Sequence, residues 1–154
     1  MTGRVIDWSD DSGQVAGIEV LPFSILIFVV GTLIVANAWA VIDVKLAVDA
    51  ASREAVRAFV EAPDAATGCA AAERVATEAV DGHGRHGDRL TLEPHDCREL
   101  PFRRCAAVTM RASYPAPLLT VPLIGGFGDG LRVTSSHTEL IDPYRSGPTA
   151  SGTC

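Results

Sequence analysis

From residue 20 to residue 42 the chain reads VLPFSILIFVVGTLIVANAWAVI, 23 residues without a charge. As an α-helix this run measures about 35 Å, against roughly 30 Å for the hydrocarbon core of a bilayer. The core helix of a small soluble domain is shorter and carries a polar stripe, whereas here only Ser24, Thr32 and Asn37 interrupt the apolar surface. The run predicts a membrane-spanning helix. A cleaved secretory signal is not expected, because such signals open with basic residues and this one has Asp7, Asp10 and Asp11 against Arg4.

Beyond the run the pattern becomes amphipathic. Val44, Val48, Ala51, Ala55 and Phe59 recur at spacings of three and four, with Asp43, Lys45, Asp49, Arg53 and Arg57 elsewhere. No glycine or proline intervenes between Trp39 and Ala62, so one helix over 14–62, about 70 Å long, is expected to leave the membrane as a stalk. Pro22 removes one backbone hydrogen bond near its start. Pro63 and Asp64 supply a stop and a fresh start.

A second helix is expected over 65–80, with Cys69, Ala72, Val75, Ala76, Ala79 and Val80 as a small-residue packing face. Residues 81–88, DGHGRHGD, read as a loop. Alternation then predicts strands over 89–93, 105–114 and 131–141, paired antiparallel, with Val108 and Met110 on one face of the second. Residues 115–130 form a long connection whose apolar Leu118, Leu119, Val121, Leu123, Ile124 and Phe127 suit contact with a partner. Residues 142–154 read as an exit and a polar tail.

Net charge is −6, from 13 basic and 19 acidic side chains without a Lys/Arg cluster, so no nucleic-acid footprint is present. The four cysteines, Cys69, Cys97, Cys105 and Cys154, contain no CxxC and read as a disulfide framework of an exported domain. Cys97 and Cys105 bracket a short connection between strands and are the favoured pair; Cys69–Cys97 and Cys69–Cys105 are the rivals. Cys154 either stays free or cross-links to a partner.

His83, His86, His95, Cys97 and Cys105 are metal-ligating types, but glycines flank the loop histidines and the spacing is not that of a zinc site, so no metal or cofactor is expected. Ser135, Ser136, His137 and Glu139 alternate faces of one strand and do not converge as a triad. No P-loop, GxSxG or dinucleotide fingerprint occurs, and an enzyme is not expected.

The segment GQVAGIEV at 13–20, the apolar span, and AVDAASREAVRAFVE at 47–61 together resemble the TadE-like pilus-assembly and minor pilin proteins of bacterial tight-adherence systems. The resemblance covers about the first 62 residues, and ELIDPYR at 139–145 is similar to the end of actinobacterial members. It implies a pilin-like α+β fold: a leader-like cytoplasmic segment 1–13, a transmembrane and stalk helix 14–62, an extracytoplasmic domain 63–145 and a flexible tail 146–154.

In that family a prepilin peptidase cuts after a glycine, and a glutamate follows at the fifth position. Here a cut between Gly13 and Gln14 places Glu19 sixth, so the resemblance implies either cleavage at this point or a member that keeps its leader. Glu19 becomes an assembly carboxylate that meets a free α-amino group of a pilin or assembly subunit; a carboxylate at the water boundary also stands there without any partner. Gly31, Ala36, Ala38 and Ala40 are small enough for close helix packing, or are simply tolerated in a span.

Arg4 on one side of the span against Lys45, Arg53 and Arg57 on the other points to a cytoplasmic C-terminus, while the cysteines and the resemblance point outward. The outward reading is preferred. The competing functional class is a membrane-tethered extracytoplasmic binding module with no pilus role.

Overall fold

The structure, a computed structural model, describes residues 20–116, 131–146 and 148. Helix α1 (Val20–Glu61) is followed by helix α2 (Ala65–Gly82), a 3-10 turn at Gly87–Arg89, strand β1 (Thr91–Glu93), a second 3-10 turn at Cys97–Glu99, and strands β2 (Ala107–Ala116) and β3 (Leu131–Leu140). The sheet is antiparallel in the order β1-β2-β3. A long N-terminal apolar helix, a second helix and a three-stranded antiparallel sheet make the expected α+β fold.

Two compact units divide the chain inside α1, the first ending at Ala38 and the second beginning at Trp39. The described part of the first unit, residues 20–38, is helical throughout. Nineteen residues rise about 28 Å.

In the second unit the amphipathic half of α1 supplies the spine of the core. Val44, Val48, Ala51, Ala55 and Phe59, spaced to share one face, are fully buried, and Val56 and Ser52 widen that face. Pro63 cannot continue the helix, and Asp64 restarts it: its carboxylate accepts from the Thr67 amide and the Thr67 hydroxyl, both at 2.9 Å. The return helix packs closely because Gly68 faces Phe59; a Cβ at Gly68 would lie 3.0 Å from the Phe59 ring and 3.1 Å from its carbonyl oxygen. Cys69, Ala72, Ala76 and Val80 continue that buried face, and Val75 and Ala79 flank it half-buried.

The sheet closes the core with the alternate residues Val108, Met110 and Ala112 of β2, all fully buried. Phe102 meets Phe59 edge to face, with ring centroids 5.6 Å apart. Four strand boundaries differ from expectation, two of them strand starts with a local cause. Arg89 ends a 3-10 turn, held by the Gly87 amide donating to Asp81 and the Leu90 amide donating to Gly87, so β1 starts at Thr91. Cys105 has φ of 61°, in the left-handed region that a strand does not use, so β2 starts at Ala107. At its other end β2 runs on through Pro115, which pairs with Arg132 on one side and has no β1 residue opposite on the other.

Candidate functional site

Several residues singled out in the sequence lie outside the described residues: Gly13, Gln14 and Glu19 at the start, the apolar set Leu118, Leu119, Val121, Leu123, Ile124 and Phe127, and Cys154. The functional surfaces that can be built from side chains are therefore the exposed run of α1, the disulfide, and the polar seam between α1 and β3.

Along α1 the large apolar side chains from Val20 to Val35, Leu33 excepted, stand exposed, Phe28 at 74%. Thr32 and Asn37 satisfy themselves, the hydroxyl donating to the Phe28 carbonyl at 2.8 Å and the amide to the Leu33 carbonyl at 2.9 Å. Polar groups that bond their own helix cost little in hydrocarbon. Among the described residues, α1 is the one helix long and apolar enough to cross a membrane. Gly31 leaves a notch between Ile27, Phe28, Thr32 and Val35, where an added Cβ would meet nothing within 4 Å.

The disulfide joins Cys69 to Cys97, with Cα atoms 5.7 Å apart. This corrects the favoured Cys97–Cys105 pairing. Cys97 opens a 3-10 turn that buries it against α2, where Cys69 lies on the buried face, and the connection to Cys105 leads away to the base of β2. Cys105 is also disulfide-bonded. The bridge staples α2 to the segment between β1 and β2.

A polar seam ties α1 to β3. The Lys45 ammonium donates to the Thr134 carbonyl at 2.8 Å, and the Ser135 hydroxyl donates to Asp49 at 2.8 Å. Arg53 pairs with the other oxygen of Asp49 at 2.8 Å. The Ser135 hydroxyl holds the Asp49 carboxyl below its ordinary value of 3.8, with Arg53, His137 and Lys45 acting the same way against the opposing effect of burial. Asp43 pairs with Arg85, whose guanidinium is largely buried. At the far end of α1 the Arg145 guanidinium donates to the Val60 and Glu61 carbonyls. Lys45, Asp49 and Arg145 were not singled out as contacts in the sequence. Asp49 lies off the apolar face of α1, and nothing local marks it as the partner of a serine 86 residues away.

The chemistry of this seam is cohesive. The Ser135 hydroxyl donates to the Asp49 carboxylate, and that bond joins β3 to α1. Among the described residues, no group of three or more His, Cys, Asp or Glu is arranged to hold a metal ion. A cleft of about 350 Å³ between α2 and β1 has Glu73 and His95 as its titratable walls.

No family model, curated protein or solved structure matches the chain.

Proposed function

We propose that the chain is a pilin-like structural or assembly subunit of a tight-adherence-type surface pilus, held in the membrane as a single-pass protein by α1, with its α+β domain outside the cytoplasm. The observation that carries this reading is that one helix has two surfaces in succession. Its first described residues expose apolar side chains in every direction, and its later ones, Val44 to Phe59, form the spine of a small sheet domain. A mere tether needs only the first of these. A subunit that assembles through its N-terminal helix benefits from both, because the helix then transmits its packing to the domain it supports.

The Cys69–Cys97 bridge supports an oxidising compartment for the domain, against the Lys/Arg balance around the span. The role is structural, without catalysis or cofactor, and the partners are other pilin or assembly subunits and a prepilin peptidase acting at Gly13. The alternative of a tethered binding module keeps the same topology and drops the assembly role.

Intact mass and N-terminal sequencing of the protein from native membranes test the reading. A chain beginning at Gln14, together with loss of assembly but not of membrane insertion in Glu19→Ala, supports the pilin-like subunit. An intact leader with assembly indifferent to Glu19 favours the tethered module.

A further inference from the structure

We propose that the end of the sheet domain where β3 begins is a second lipid contact, with Leu131 and Arg132 seated in the headgroup layer of the bilayer that α1 crosses. This rests on the reading of α1 as a membrane span and adds that the strand, as well as the helix, touches lipid.

The alignment of β3 on α1 carries the inference. Lys45 bonds Thr134, Asp49 bonds Ser135, and Val60 and Glu61 bond Arg145, so residue numbers rise together on helix and strand. β3 therefore starts at the end of this unit where α1 enters it. Leu131 lies about 10 Å beyond Thr134 along the strand, and a helix covers that distance in about five to seven residues, allowing for tilt. That takes the level of Leu131 from Lys45 back to the turn holding Trp39.

This is the level of the lipid boundary. The charge-free run ends at Ile42, and Trp39, Ile42 and Leu46 are exposed around it. A tryptophan at such a position belongs to the interfacial belt. Leu131 is 55% exposed, apolar surface that the fold leaves unused.

The charges agree. Arg132 is exposed at this end, the Lys45 ammonium stays exposed while it donates to Thr134, and Arg89 lies over the Tyr114 ring. Of the acids nearby, Asp43 is paired with Arg85, Asp49 with Arg53 and Ser135, and Asp81 accepts the Gly87 amide; Asp88 is exposed. Cations beside an apolar side chain suit lipid phosphate above an acyl boundary.

β3 contains its own control. Leu140, at its other end, is 65% exposed and belongs to the side held by Arg145. The test uses the full chain in vesicles of phosphatidylcholine and phosphatidylglycerol with brominated acyl chains. Trp8 and Trp39 are replaced by phenylalanine, and a single tryptophan is placed by Leu131→Trp or Leu140→Trp; a third chain keeps Trp39 alone.

The expected result is blue-shifted, bromolipid-quenched emission at 131 and at 39, with aqueous, unquenched emission at 140. Quenching at 39 but not at 131 overturns the proposal and leaves the span standing. A tryptophan at 131 shielded from water yet not quenched assigns that end to a protein partner and overturns it equally. Absence of quenching at 39 overturns the span itself, and the proposal with it. Both leucines are exposed, so the replacements leave the core untouched, and preserved helix content by circular dichroism verifies the fold.

Discussion

The Ser135 hydroxyl lies 2.8 Å from an Asp49 carboxylate oxygen, and this bond links the last strand of the sheet to the helix that anchors it. Because it lowers the Asp49 carboxyl below 3.8, its contribution is complete above about pH 4 and is lost as the pH falls through the folded value. Asp49 is about one-third exposed, so Ser135→Ala should cost about 1 kcal/mol at pH 7. Urea unfolding in detergent micelles should show the gap between wild type and variant closing below pH 3.8. A gap that is constant with pH would refute the link.

The two glycines of the helices should behave oppositely. Gly68→Ala forces a Cβ against Phe59 at 3.0 Å and should cost about 1–3 kcal/mol, whereas Gly31→Ala meets no atom within 4 Å and should not disturb the fold. Thermal midpoints of both variants in micelles check the contrast.

Peptide mapping without reductant should recover Cys69 linked to Cys97. Closing a loop of 28 residues stabilises by about 3.5 kcal/mol on the chain-entropy account, and Cys69→Ser should lose most of that. Recovery of a Cys97–Cys105 peptide instead would contradict the packing of the 3-10 turn on α2.

Arg145 offers the carboxyl end of α1 a cation and donors for carbonyls that lack helical partners. Arg145→Gln should cost about 1–2 kcal/mol. Hydrogen exchange should locate the effect in the last turn of α1, with faster exchange of the Val60 and Glu61 amides and little change around Val44.

Periodicity made the larger elements legible. The spacing of Val44, Val48, Ala51, Ala55 and Phe59 marked a buried face, and all five are fully buried; the alternation of Val108 and Met110 marked the inner face of β2. What the sequence hid was pairing at a distance. Cys97 could pair with nearby Cys105 or with the more distant Cys69, and the choice depends on a short turn docking on α2, which no local pattern encodes. Asp49 reads as solvated by its place on the helix, until a strand brings Ser135 to it. Cys105 sits where alternation continues unbroken, yet its left-handed backbone ends the strand. Of the segments that carry the resemblance, the one holding Gly13, Gln14 and Glu19 lies outside the described residues.

The division of the chain inside α1 bears on how the protein is cut. Pro63 is the visible joint between the helices, and cleavage there would leave Val44, Val48, Ala51, Ala55, Val56 and Phe59 without a covalent link to the sheet they pack against, taking half of the core from the remnant. A cut upstream of Val44 would leave every one of them attached. A protease that released the intact domain would thus have to act within a continuous helix, where the backbone must first unwind to enter its active site.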